Sequence, residues 1–107
     1  MQRGEIFRLR APRGTRGHEQ AGQRYGVVLQ ADELLSLSTV IIAPTSTRAQ
    51  PASFRPEVEI DGQRTRVLVE QLGAVDPSRL GESHGLLGFG ELREVGRALA
   101  AVLGLDV

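Results

Sequence analysis

Polar and apolar residues alternate along Glu5-Ile6-Phe7-Arg8-Leu9-Arg10, the period of a strand with one buried face, until Ala11-Pro12-Arg13-Gly14 breaks the pattern. A first strand is therefore placed at about residues 4 to 10. Two further runs, Tyr25 to Gln30 and Ser38 to Ala43, are rich in β-branched residues and predict central strands. Between them Asp32-Glu33-Leu34-Leu35 predicts one helical turn with Asp32 as its cap. Thr45 to Pro56 is polar and, with Pro44 at its gate, carries three prolines, so it reads as an exposed loop beginning where the third strand ends. Glu57-Val58-Glu59-Ile60 and Arg64 to Val69 flank Asp61-Gly62, a strong hairpin signal. Gln71 to Val75 predicts a short strand, with Glu70 at the end of the hairpin strand before it. Asp76-Pro77-Ser78-Arg79-Leu80 predicts a capped turn with proline at its first helical position, and Gly85-Leu86-Leu87 a last edge strand. From Gly90, Leu92, Val95, Leu99, Val102 and Leu103 recur at three- and four-residue steps, so a helix with one apolar face closes the chain and Gly104 stops it. Gly96 inside that helix costs about 1 kcal/mol against alanine unless something packs closely there.

Many short strands, Gly/Pro-rich turns and one closing helix predict a mainly β, α+β fold: a small antiparallel, partly barrelled sheet in a single domain over residues 1–107. The connection over residues 11 to 24 is longer than most strand connections, and such loops in compact domains are commonly functional. It holds Gly17-His18-Glu19-Gln20-Ala21-Gly22-Gln23-Arg24. This polar, glycine-bracketed stretch brings a histidine, a carboxylate, an amide and a guanidinium within reach of one point, with a rigid strand behind them.

Composition narrows the chemistry. There is no cysteine, so no disulfide framework or thiolate metal site is expected, and the two histidines, His18 and His84, do not by themselves close a metal site. No metal and no cofactor are expected. No apolar run follows Met1 and no stretch of eighteen apolar residues occurs, which predicts a cytoplasmic protein that does not span a membrane. At this size much apolar surface is expected to be shared with a second copy. Net charge is zero, which argues against a protein that coats nucleic acid, but the charge is uneven. Residues 1–24 carry six arginines against two glutamates, a surplus of four, which the rest of the chain balances. All thirteen cations are arginine. That suits bidentate phosphate contacts, although a genome that prefers arginine codons explains the missing lysines better.

Arg3-Gly4-Glu5-Ile6, Gly17-His18-Glu19-Gln20, Arg24, Ala43-Pro44-Thr45-Ser46, Glu57-Val58-Glu59-Ile60-Asp61, Val69-Glu70-Gln71 and Val75-Asp76-Pro77-Ser78-Arg79-Leu80 together resemble, in the same order, the MazF/PemK (Kid) toxin family of endoribonucleases. The resemblance implies an SH3-like, partly open antiparallel β-barrel. It also implies a homodimer that cleaves single-stranded RNA without metal, and an antitoxin partner with an acidic, disordered tail. In that chemistry the RNA 2′-hydroxyl is the nucleophile, so a base, a cation and an acid are needed. By resemblance Arg24 is the catalytic arginine, Thr45 the hydroxyl that donates to the scissile phosphate, His18 the proton donor and Glu70 the base. Ser46, Thr47, Arg48 and Gln71 follow as RNA contacts, Glu19 and Gln20 position the loop or read a base edge, and Tyr25 stacks on a base or is simply strand. Taken without the resemblance, Arg24 is an ordinary solvated arginine, Thr45 a turn hydroxyl, His18 a loop histidine and Glu70 a carboxylate paired with an arginine.

The chain departs from the family at three positions. Tyr25 replaces the proline after the catalytic arginine, Gly73 the arginine two places after Glu70-Gln71, and Leu68 the Kid-type arginine before the carboxylate. Arg24 and Thr45 are thus the firmer pair, and His84 is assigned no role. Two other readings stand beside the nuclease: a toxin of the same fold, similar to CcdB, that binds DNA gyrase, and a non-catalytic member that only binds RNA or protein.

Overall fold

The computed structural model describes residues 1–10 and 24–105. The alternating N-terminal segment forms strand β1 (Glu5–Leu9). The two β-branched runs form β2 (Tyr25–Val28) and β3 (Val40–Ser46). A hairpin of β4 (Glu57–Ile60) and β5 (Gln63–Val67) follows, then β6 (Gly73–Val75), β7 (Leu80–Leu86) and helix α1 (Phe89–Leu103). All pairings are antiparallel, and the strand order is β4-β5-β3-β2-β1-β7 with β6 also on β3.

The hairpin turns where the sequence places it: Asp61 and Gly62 have φ of 52° and 80°, the left-handed pair that a two-residue turn matched to strand twist requires. Helix α1 ends as expected, with Gly104 at φ 68° and the Leu105 amide bonded back to the Ala100 carbonyl at 2.8 Å. At its start Glu91 accepts from the Gly88 amide at 2.9 Å and from the Glu59 amide at 2.8 Å, so one carboxylate satisfies the helix entry and a donor on β4. Gly96 faces Arg3, whose guanidinium lies 3.7 Å from where a Cβ would stand. Asp76 caps the turn Pro77–Arg79, accepting from the Ser78 amide at 2.8 Å.

β3 departs from expectation. It runs three residues past Ala43, through Pro44, Thr45 and Ser46, because it changes partners there. Its first half pairs with β6, Val40 to Ile42 against Val75 to Gly73, and its last two residues pair with β5, Thr45 against Val67 and Ser46 against Arg66. Pro44 falls between the two ladders, where the absent N–H breaks neither, and its carbonyl accepts from the Leu68 amide at 2.8 Å. Thr45 and Ser46 are thus strand residues, not the start of an exposed loop. β5 correspondingly ends at Val67, and Glu70 sits in a 3₁₀ turn, Val69–Gln71, rather than on the hairpin strand. The turn at Asp32–Leu34 forms, but Asp32 does not cap it; its carboxylate accepts from the Arg3 amide at 2.7 Å. β7 spans Leu80–Leu86, longer than residues 85–87, and meets β1 with two register shifts that destroy any simple alternation.

Apolar residues cover both faces of the sheet. On the inner face Ile6, Val27, Leu29, Ala43, Val58, Ile60, Val67 and Val69 pack against Val95 and Ala98 of α1, with Leu92, Leu99 and Val102 at the margin. On the outer face Val28, Val40, Ile42 and Leu80 form a smaller cluster with Phe7, Leu9, Leu35 and Val75. The free edges meet through side chains, His84 Nδ1 of β7 lying 2.6 Å from Asp61 Oδ2 at the hairpin turn, so the sheet curls into a half-barrel. Among the described residues no helix is long and apolar enough to cross a membrane.

Candidate active site

Strand alternation decides which side chains share a face. Ala43 belongs to the inner core, so Thr45, two residues on, faces the same way and is 3% exposed, whereas Ile42, Pro44 and Ser46 face outward. β2 pairs with β3 through Gly26 opposite Pro44, and two more residues along that register Arg24 stands opposite Ser46. The Arg24 guanidinium donates to the Thr45 carbonyl at 3.4 Å. Arg24 is therefore brought to both residues, but the hydroxyl on its own face is that of Ser46, which also accepts from the Arg48 amide at 3.2 Å. On the far side of Ser46 its ladder partner is Arg66.

The outer face here is hollow. Leu9, Arg10, Arg24, Ile42, Pro44, Gln71, Gly73, Val75 and Arg79 line a groove of about 260 Å³. Gly26 lies buried beneath it: a Cβ there would meet Leu9 Cδ2 at 2.9 Å and Ile42 Cδ1 at 3.3 Å, so the glycine lets two of the lining side chains close over the strand. The groove holds three guanidiniums, an amide and no carboxylate. None of Arg10, Arg24 and Arg79 is in an ion pair among the described residues. Such a cavity is built to take an anion.

Glu70 is held elsewhere. Its Oε2 accepts from Arg55 Nε at 2.9 Å and NH2 at 2.7 Å, and these bonds hold the carboxyl below the usual carboxylate range against an opposing push from burial. A carboxylate so paired is a weakened base. Its Oε1 is buried without a hydrogen-bond partner among the described residues. Gln71, the next residue, does reach the groove. Tyr25 follows the inner-face alternation, partly buried against the main core and edge-on to the His84 ring at 4.9 Å, away from Arg24. Thr47 and Arg48 are exposed just beyond the end of β3. His18, Glu19 and Gln20 lie outside the described residues. Among those described there is no group of three or more His, Asp or Glu arranged to hold a metal ion.

Sequence reasoning missed Arg10 and Arg79 in the groove and Arg55 on Glu70. Arg79 stood within a family-like segment, Asp76 to Leu80, but only the β1–β7 pairing reveals that it meets Arg10.

The model of PemK-like, MazF-like toxins of type II toxin–antitoxin systems matches residues 2–103. The chain belongs to this toxin family. It is 40% identical over 104 residues to a candidate toxin of Mycobacterium tuberculosis, covering 96% of this chain and 97% of that one. It is 32% identical over 112 residues to the endoribonuclease MazF of Staphylococcus saprophyticus, covering 98% and 92% respectively. Among solved structures, MazF from Deinococcus radiodurans superposes with a TM-score of 0.77 at 25% identity over 98% of this chain and 97% of that one. A mycobacterial endoribonuclease solved with its cognate antitoxin superposes at 0.81 with 15% identity, covering 100% and 98%. The curled antiparallel sheet closed by a C-terminal helix is thus the MazF toxin fold, as expected from the sequence.

Proposed function

We propose that this toxin is an endoribonuclease that cleaves single-stranded RNA without a metal. The observation that carries the reading is Arg24: a guanidinium with no ion pair among the described residues, on the same face as the half-buried Ser46 hydroxyl, at a groove lined by cations and free of carboxylates. The RNA supplies the nucleophile. A base removes the 2′-hydroxyl proton, that oxygen bonds to phosphorus, the bond from phosphorus to the 5′-oxygen breaks, and an acid protonates the departing oxygen. The products are a 2′,3′-cyclic phosphate and a 5′-hydroxyl. Arg24 faces the charge that grows on the phosphoryl oxygens, and the Ser46 hydroxyl, on the same face, donates to one of them. Thr45, buried beneath, contributes through the carbonyl that holds Arg24 in place. His18 remains the proposed proton donor. Glu70 acts as base only if Arg55 releases it, and in the free protein the pair braces the end of β5.

A structural neighbour solved with its cognate antitoxin supports an antitoxin partner, and we propose further that the partner's tail is acidic and that the toxin acts as a homodimer in the cytoplasm. Exposed Leu34, Leu37 and Ile41 offer apolar surface for a second copy. Carboxylates of the tail would compete with RNA phosphates for Arg24.

Cleavage of a long single-stranded transcript in EDTA, with the ends sequenced, tests the reading. A cyclic phosphate end and loss of cleavage in Arg24→Ala are expected. Activity only with added divalent metal, or an Arg24→Ala enzyme that cuts at the full rate, overturns it.

A further inference from the structure

We propose that Arg10 and Arg79 form a second phosphate subsite, which grips the phosphate neighbouring the scissile one on the same RNA strand. The inference rests on the nuclease reading and adds residues to it. β1 joins β2 with Arg8 opposite Tyr25, and the Leu9 amide bonds to the Arg24 carbonyl at 2.9 Å. On the other side β1 joins β7 with Leu9 opposite Leu80. Arg24, Arg10 and Arg79 therefore stand at the ends of three successive strands, just before β2, just after β1 and just before β7, so the outer two are about 10 Å apart at two strand spacings. All three line the one groove.

Among the described residues Arg10 and Arg79 are fixed to main chain and not to acids. The Arg79 Nε donates to the Arg10 carbonyl at 2.6 Å, Arg10 NH1 donates to the Ser78 carbonyl at 3.2 Å, and the Arg10 amide donates to the Arg79 carbonyl at 2.8 Å. Each guanidinium thus spends one N–H on the backbone and keeps its others. Of the two acids three residues from Arg79, Asp76 has its carboxylate turned to the Ser78 amide at 2.8 Å and Glu82 lies 3.9 Å from His84 Nε2. Two positive side chains held in place without a counter-ion among the described residues are costly to keep together unless an anion visits them, and their order has been met before binding. If the clamp only stapled β1 to β7, one uncharged donor on each strand would do the same work.

The groove favours RNA over an acidic peptide as the occupant. Leu9, Ile42, Pro44 and Val75 give it apolar surface between the cations, on which a flat base lies while phosphates on either side of it meet Arg24 and the clamp.

The test uses the intact protein and a short oligonucleotide carrying one ribose at the cleavage position found by end sequencing and deoxyribose elsewhere. Two matched versions replace the phosphate on one or the other side of the scissile one with a neutral methylphosphonate. For the unmodified protein, one of these substitutions should raise KM roughly tenfold or more with little change in kcat. Arg10→Gln and Arg79→Gln should raise KM by a similar factor on the normal oligonucleotide and be indifferent to that methylphosphonate. Their salt slopes for RNA affinity should fall by about one. A merely structural clamp would alter melting temperature and kcat but leave the methylphosphonate penalty intact, and that result overturns the subsite. So does an unchanged KM in both variants, or a loss confined to binding of an acidic antitoxin peptide. If Arg24→Ala still cleaves, the nuclease reading itself has failed; if Arg24→Ala is dead and the clamp variants keep both their KM and the penalty, only the subsite has.

Discussion

The arginines of the β4–β5 hairpin and those of the groove differ in what they are bonded to, though all are carried on one sheet. Arg55 is locked on Glu70, Arg64 and Arg66 on Glu57, each guanidinium within 3.6 Å of a carboxylate oxygen. Among the described residues Arg10, Arg24 and Arg79 bond through their guanidiniums to carbonyl oxygens and to no carboxylate. A guanidinium bonded to a carboxylate has its charge answered within the fold and serves stability; one bonded to a carbonyl is oriented but keeps its charge for a ligand. The contrast separates frame from site more clearly than the charge count along the chain, in which all thirteen look alike.

The largest effect expected is on the groove side. Arg24→Ala should lower kcat for RNA cleavage by roughly a hundred- to a thousandfold, with the melting temperature unchanged, because no ion pair is lost. A comparable loss from Arg55→Ala at full stability would erase the distinction. Next, Ser46→Ala should lower cleavage by about tenfold, while Thr45→Val, which keeps the buried shape and the carbonyl, should stay within about threefold. The reverse result on the same substrate would assign the donor hydroxyl to Thr45 and mean that the barrel mouth opens when RNA binds.

On the frame side the effects are smaller and appear in stability. Glu70 has a folded pKa depressed below its usual 4.5 by Arg55. Its contribution is therefore complete above that usual value and is lost as pH falls through the lower folded value. Glu70→Gln should cost about 1 kcal/mol at neutral pH, since the pair is a quarter exposed and partly screened. The same variant should flatten the decline of stability below pH 4.5. Denaturant titrations across pH would measure both, and an unaltered acid limb would rule out the pair as its source. Smallest of all, Arg64→Ala removes an arginine that is 81% exposed in its pair with Glu57, and should change stability by less than about 0.5 kcal/mol and cleavage not at all.

The parts legible in the sequence are those whose cause is local. The Asp61-Gly62 turn, the stop at Gly104 and the apolar stripe through Val95 and Leu99 each follow from a few adjacent residues, and the fold shows them where the pattern places them. The rest depends on partners distant in sequence. The exit of β3 was misplaced because proline argues against a central strand, and only the change from β6 to β5 at Pro44 makes it harmless. β7 was shortened because its two register shifts erase the two-residue period. At the candidate site, Arg24 and the segment around Thr45 were readable from resemblance. Three features were not: that Thr45 turns inward and Ser46 outward, that Glu70 is bound by Arg55, and that Arg79 joins Arg10. Each depends on which face or which neighbour a residue acquires once the sheet curls.

One consequence of the continuous β3 concerns how such a toxin diversifies. The strand is anchored in two ladders and ends at Ser46, and the segment 47–56 leaves from its tip to return at β4. Chemistry and the start of that segment are thus mounted on one beam, whereas the segment itself contributes to no ladder. Up to Phe54 its length and composition are free to drift without moving Arg24 or Ser46, whereas Arg55 and Pro56 are tied to Glu70 and to the Val67 amide. Related toxins with different spans here should share one cutting chemistry yet part company in the RNA word they accept, and exchange of residues 47–54 between two of them should transplant the word while leaving the catalytic rate with the recipient.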